Sequence, residues 1–277
     1  MTTTIRPTEP LQQGADGAKS RTYDVCVNSR RVGRIKIATD ALSGAGTGRI
    51  EELHIDRADR GRGRGTVAAL AAEEVLRGWG CDRLHLTVPA DADAALRMAA
   101  ALGHVERSRN MVKQLAPTAA ELPDGTVGRP MNADEFEGWR AAAVEGYAQS
   151  WIERGVPEAA ARTKSEEEHR TLLPEGAATA GTHLLLLEDR GREVGTLWVA
   201  RAPGPGAGAY VYDVHVAEEH RGRGHGRSLM LLAERAALAD GMDTIGLHVF
   251  ADNTPALRLY ESLGYRTTRH HLGKALL

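Results

Sequence analysis

Arg60-Gly61-Arg62-Gly63-Arg64-Gly65 and Arg221-Gly222-Arg223-Gly224-His225-Gly226 read almost alike, and the likeness continues at one fixed offset of 161 residues. It holds without a gap at His54/His215, Glu73/Glu234, Gly80/Gly241, Asp82/Asp243, Leu86/Leu247, Leu96/Leu257, Arg97/Arg258 and Gly103/Gly264. A chance run of glycine and arginine would not keep register that far, and the period is much longer than a solenoid repeat. The chain therefore reads as two copies of one domain-sized unit, and 277 residues are enough for two modest cores.

Apolar content of 42% and charged content of 26% place the chain among ordinary globular proteins. There is no span of about 20 apolar residues, and Met1 to Ser20 lacks a signal-peptide core, so a cytoplasmic protein without membrane contact is expected. Cys26 and Cys81 are too few for a disulfide framework or a metal cluster; Cys81, opposite Met242 in the repeat, reads as a small buried residue. The histidines show no metal-type grouping, so no metal is expected. Residues 1–115 hold 18 Lys/Arg against 14 Asp/Glu, and the remainder 17 against 23. Neither balance is a nucleic-acid footprint, and the acidic second half mildly favours a cationic partner.

Residues 1–21 read as a flexible N-terminus with a strand at Thr3 to Arg6, 22–115 as the first unit, 116–128 as a linker holding Pro117, Pro123 and Gly125, and 129–277 as the second unit. Each unit alternates strands with a helix after its glycine turn and a second helix stopped by Gly103 or Gly264. The second unit opens with two long helices, Asp134 to Trp151 with Asp134 as cap and Pro157 to Leu172; in the first, only Leu11 to Ser20 occupies that place.

Glycines in an Arg-x-x-Gly-x-Gly turn let the backbone approach a ligand, and the helix start beyond offers unpaired N–H groups to phosphate. Neither copy is a dinucleotide G-x-G-x-x-G or a Walker loop. In the second unit the turn follows Val214-His215-Val216-Ala217 and precedes Asn253-Thr254-Pro255-Ala256-Leu257-Arg258-Leu259-Tyr260-Glu261-Ser262-Leu263-Gly264-Tyr265. Three motifs in this order and spacing resemble the GCN5-related N-acetyltransferase (GNAT) family, over both units and most fully over Met131 to Leu276.

The resemblance implies an α/β (α+β) fold, with a mixed, mostly antiparallel, splayed sheet flanked by helices in each unit. It implies acetyl-CoA as acyl donor, with its pyrophosphate on Arg221, Arg223, Gly224, His225, Gly226, Arg227 and Ser228. The pantetheine arm would pair with the backbones of Val214 and Val216 and bond to Asn253, and Tyr260 would act as general acid. A phenol of pKa about 10 stays protonated at neutral pH and can hand its proton to a thiolate of pKa about 8.5. For the base, Asp213 and His215 share one face of their strand and Tyr210 and Tyr212 the other, so a choice among Asp213, His215 and a water relay stays open.

At the matching positions the first copy has Ala99 for Tyr260, Ala92 for Asn253 and Ala94 for Pro255, so it is expected to be degenerate, with a turn at Arg60 to Gly65 that could still hold a CoA-like anion. The expected reaction moves acetyl from acetyl-CoA to a primary amine of a small molecule by direct attack. The alternatives are a CoA-binding or interaction protein without chemistry, and transfer to a protein N-terminus or to a mycothiol-type amino-sugar thiol precursor. Glu166-Glu167-Glu168 reads first as a solvated helix face, with attraction of a basic acceptor as the alternative. Trp139, Tyr147 and Trp151 read first as a core stripe, with a substrate platform as the alternative. Oligomeric state is left open by the sequence.

Overall fold

The computed structural model describes residues 2–14, 17–39, 46–204 and 206–276. In chain order the elements are β1 (Thr3–Pro7), β2 (Gln12–Gln13), β3 (Lys19–Val27), β4 (Arg30–Thr39), β5 (Thr47–Ile55), α1 (Arg64–Gly78), β6 (Arg83–Pro89), α2 (Asp93–Ala101), β7 (Val105–Gln114), β8 (Thr126–Pro130), α3 (Ala133–Ile152), α4 (Glu158–Leu172), β9 (Thr182–Asp189), β10 (Arg192–Arg201), β11 (Ala209–Val216), α5 (His225–Ala239), β12 (Thr244–Phe250), α6 (Thr254–Ser262) and β13 (Arg266–Ala275). The segment expected to be flexible, 1–21, carries β1, β2 and the start of β3; of it, Met1, Ala15 and Asp16 lie outside the described residues. The expected linker runs into β8, whose Thr126 to Pro130 pair with Asp189 to Leu185.

Contacts divide the chain into one unit of Met1–Ser108 with Arg269–Leu277 and another of Arg109–Thr268. This differs from the serial boundaries expected, and the reason is strand pairing. In the first unit the order is β1, β3, β4, β5, β6, β13, and β13 runs antiparallel to β6 from Arg269 opposite Pro89 to Ala275 opposite Arg83. In the second it is β7, β12, β11, β10, β9, β8. Each repeat thus closes its sheet with the last strand of the other.

The exchange is reciprocal atom by atom. In the first unit Lys274 of β13 donates to the buried Glu73 of α1 at 2.9 Å, and Leu276 N–H donates to Asp82 O at 2.7 Å. In the second unit Lys113 of β7 donates to the buried Glu234 of α5 at 2.7 Å, and Leu115 N–H donates to Asp243 O at 2.7 Å. Each partner in one pair stands 161 positions from its counterpart in the other. Ile35, Ile37, Leu76, Leu84 and Leu276 lie in the first core, and Met111, Leu115, Leu197, Leu229 and Ile245 in the second.

A β-bulge also recurs. Against β4, the register of β5 slips so that Glu51 has no partner, and against β10 that of β11 slips at Tyr212, the position 161 residues on. A bulge inserts one residue and reverses the alternation beyond it. In β11, Ala209 and Val211 before the bulge and Val214 and Val216 after it therefore all face the α5 side of the sheet. The parallel pairing of β11 with β12 covers Ala209 to Val211 against Ile245 to Leu247 and stops at the bulge, as that of β5 with β6 stops at Ile50. Beyond these points the paired strands splay apart.

Candidate functional site

The bulge corrects one expectation from the sequence. Strict alternation separates Asp213 and His215 from Tyr210 and Tyr212; in the structure all four line one cavity of about 990 Å³ in the second unit. Its other walls are α3, α4, β10 and the end of β12, which contribute Trp139, Tyr147, Glu168, His169, Trp198 and Phe250 among others. The two long helices of this unit wall the cavity. Helix α3 is capped by Asn132, two residues earlier than the Asp134 expected: Asn132 Oδ1 accepts from Glu135 N–H, and the Glu135 carboxylate accepts from Asn132 N–H. The Trp139, Tyr147 and Trp151 stripe is both packing and lining, since Trp139 lies with Phe136 and Trp198 in a buried cluster and all three stripe residues face the cavity. Of the three glutamates, Glu166 and Glu167 are exposed and Glu168 reaches the lining.

Asp213 is the acid that β11 brings to the site. The Trp139 indole N–H donates to its Oδ2 at 3.2 Å. Burial pushes its pKa up, against the opposing pull of that hydrogen bond and of His215 and His169. Tyr260 is buried on α6 with its ring 5.9 Å from that of Tyr265, and its pKa is pushed up to about 12, by burial first and then by the charge of Asp213. Burial likewise lifts Tyr210 to about 12. These phenols stay protonated across the neutral range.

His169 went unnoticed in the sequence. Its ring is buried against Trp198 and Tyr147, and its Nδ1 lies 2.8 Å from the carbonyl oxygen of Ser165, one helical turn back. A carbonyl can only accept, so Nδ1 carries the proton and Nε2 is left as an acceptor on a ring that lines the cavity. The only sequence signal was a histidine four residues after a serine on a helix without counterpart in the first repeat.

The gap between β11 and β12 adjoins this cavity through Tyr212, Asp213 and His215. Ala217 N–H donates to Val194 O on the β10 side, so by alternation the peptide groups of Val214 and Val216 turn toward the gap. Val216 O accepts from Arg221 Nε at 3.2 Å. Beyond it Gly222 and Gly224 hold φ of 76° and 89° with open space where a Cβ would stand, and α5 begins without a side-chain cap. Arg223 is exposed, and Arg227 donates to Ser262 Oγ. The side chains of His225 and Ser228 are buried, so those residues and Gly226 offer backbone only; His225 Nε2 lies 3.8 Å from Asp189. Asn253 Oδ1 accepts from Ala256 N–H as the cap of α6. Open donors, positive φ and an unladdered strand edge suit a pyrophosphate with an extended amide arm.

The first unit uses the same backbone differently. Asp59 is buried and takes Arg30 at 2.8 Å and Arg64, so the arginine at the start of α1 turns inward. Ala99 is buried where the second unit has Tyr260. Among the described residues no group of three His, Cys, Asp or Glu is placed to hold a metal, and no helix is long and apolar enough to cross a membrane.

The family model for the acetyltransferase (GNAT) family matches residues 4–104 and again 146–265. The chain is 30% identical over 150 residues to the uncharacterized N-acetyltransferase YdgE of Bacillus subtilis (strain 168), covering 53% of this chain and 95% of YdgE. It is 32% identical over 151 residues to the uncharacterized N-acetyltransferase YycN of the same strain, covering 53% and 96%. In fold it is similar to a GCN5-related N-acetyltransferase from Sphaerobacter thermophilus, with 19% identity, 92% of this chain and 80% of that one covered, and a TM-score of 0.59. It is similar also to a tandem GNAT protein from the clavulanic acid biosynthesis pathway, with 20% identity, 96% and 85% covered, and a TM-score of 0.52. The sequence repeat, the twice-bulged splayed sheets and the two matched regions lead to one statement: the chain belongs to the GNAT acetyltransferase family and carries two of its units in tandem.

Proposed function

We propose that the second unit transfers an acetyl group from acetyl-CoA to a primary amine of a small molecule by direct attack, and that the first unit is non-catalytic. The observation carrying this reading is the side-by-side placing, in the second unit, of an unladdered β11 edge and a walled cavity. Acetyl-CoA, the acyl donor substrate, supplies an activated thioester. The backbone N–H groups from Arg223 to Gly226 and the Arg221 and Arg223 side chains hold its pyrophosphate, and the peptide groups of Val214 and Val216 pair with its arm. Val216 N–H polarises the acetyl carbonyl.

An amine reaches the site mostly as ammonium and must lose a proton before it attacks. His169 Nε2 takes that proton. Asp213 and His215 have twins, Glu52 and His54, on a strand that serves no reaction, whereas His169 stands on a helix the first unit lacks. Asp213, fixed by the Trp139 indole, draws the ammonium toward His169. The C–N bond forms as the C–S bond breaks, and the departing sulfur takes the Tyr260 phenol proton.

Release of CoA thiol over a panel of amines tests this. Tyr260→Phe lowers kcat by roughly 100-fold or more with acetyl-CoA affinity kept. His169→Gln lowers kcat by about 10- to 100-fold with acetyl-CoA affinity kept. If acetyl-CoA binds and no amine turns over faster than with Tyr260→Phe, the chain is a CoA-binding protein without chemistry.

A further inference from the structure

The cavity's lining specifies its occupant more closely than the reaction does. Four carboxylates, Glu135, Glu168, Glu193 and Asp213, line it, and no lysine or arginine does. Two are spoken for: Arg129 pairs with Glu135 at 2.8 Å and Lys164 with Glu168 at 2.6 Å. Among the described residues no lysine or arginine forms an ion pair with Glu193 or Asp213. A ligand carboxylate or phosphate would meet like charge and no lysine or arginine of the lining, the nearby Arg154 and Lys164 being paired with Asp252 and Glu168, while an ammonium would meet two carboxylates that lack a cation.

The second half of the argument is aromatic. The chain has only twelve Phe, Trp and Tyr residues, and seven of them line this one cavity. Trp198 stacks on Tyr212 at 4.8 Å, and Trp151 meets both Tyr147 and Phe250 edge-on near 6 Å; Arg154 already lies 3.7 Å over the Phe250 ring and Lys164 5.3 Å over that of Trp151, which leaves the other five rings for a ligand. Such a wall binds an apolar body by burial and a cation over its ring faces. A cavity of about 990 Å³ has room for a body larger than a single ring.

We infer that the acceptor is a monoamine on an apolar, aryl or long-alkyl body with no anionic group, and not an amino acid, a phosphorylated amine or a polyamine. The inference rests on the transfer reading for the identity of the reacting nitrogen, but its charge and shape content is a matter of binding.

The test uses pairs of ligands that differ in one group. Calorimetric titration of the intact protein with 2-phenylethylamine, phenylalanine and spermidine is expected to give 2-phenylethylamine as the tightest, with phenylalanine weaker by about 100-fold, since its added carboxylate meets like charge. Glu193→Lys, at the exposed end of the lining, is expected to narrow that ratio by about 10-fold. Equal or tighter binding of phenylalanine overturns the inference. So does tighter binding of spermidine, no binding of any of the three, or a ratio unmoved by both Glu193→Lys and Asp213→Asn. Thiol release measured on the same ligands separates the two readings. Discriminating binding without turnover sinks the transfer reading and leaves the ligand class standing; turnover that prefers phenylalanine does the reverse.

Discussion

The outward faces of β5 and β11 start from the same backbone and end with opposite chemistry. Both strands bulge at the same repeat position and both splay from their parallel neighbour there. On β11 this face carries Tyr210, Tyr212, Asp213 and His215, roofed by α3 and α4 into a cavity. On β5 the matching positions are Arg49, Glu51, Glu52 and His54, and they are tied into ion pairs: Lys36 and Arg49 hold Glu51, and Arg34 holds Glu52. The bulge and splay therefore make only an opening. What turns an opening into a site is a roof, a set of rings, and acids left free of fixed cations.

The glycine facing each bulged strand gives the sharpest way to break the comparison. A Cβ on Gly33 would stand 2.2 Å from His54 O, and one on Gly195 would stand 2.4 Å from His215 O. Neither backbone can give way within a ladder, so Gly33→Ala and Gly195→Ala should each cost about 3 kcal/mol by denaturant unfolding. If the roles are divided as proposed, Gly195→Ala also raises the KM for the amine in the surviving folded protein and Gly33→Ala does not. Equal effects on KM would show that the first unit takes part in binding.

Next in size are the exchanged lysines. Lys113→Met leaves the buried Glu234 without its cation, whereas Lys274→Met leaves the buried Glu73 with Arg77 at 3.8 Å. Lys113→Met should lose about 2 kcal/mol, less than a fully buried pair because the lysine is partly exposed, and Lys274→Met less again. Equal losses in thermal melts would show that Arg77 contributes nothing to holding Glu73.

The smallest effect belongs to the roof alone. Glu135 has its pKa lowered to about 2, first by the Arg129 hydrogen bond and then by the Asn132 N–H. A folded pKa below the unfolded value of about 4.5 means a stabilisation present above pH 4.5 and lost as pH falls toward 2. Melts of wild type at pH 5 and pH 3, compared with Arg129→Gln, should differ more at pH 5 than at pH 3. Three of the four tryptophans lie in the second unit, so their fluorescence reports it preferentially.

The repeat, the two glycine turns and the long helices were legible because each depends on local pattern: periodic apolar residues, a cap, a glycine needed for positive φ. Tyr212 shows what was not. A bulge is a property of two strands, set by how β10 meets β11, and a single strand read by twos sends its tyrosines to the wrong face. Lys113 and Lys274 show a second limit, because a repeat preserves register whichever copy supplies the partner. The sequence alone cannot distinguish a strand that closes its own sheet from one that closes its twin's. His169 was hidden for a third reason: its significance lies in a tautomer fixed by the Ser165 carbonyl, and tautomers have no sequence signature.

The exchanged strands bear on inheritance as well as on architecture. Met111, Lys113 and Leu115, which complete the core and the buried ion pair of the second unit, are encoded in the first repeat. Any selection on the second unit's fold therefore falls also on codons of the copy that carries Ala99, and a deletion of that copy would open the survivor's sheet beside β12. Either copy can vary in its side chains, but neither can be removed without taking a strand from the other's sheet.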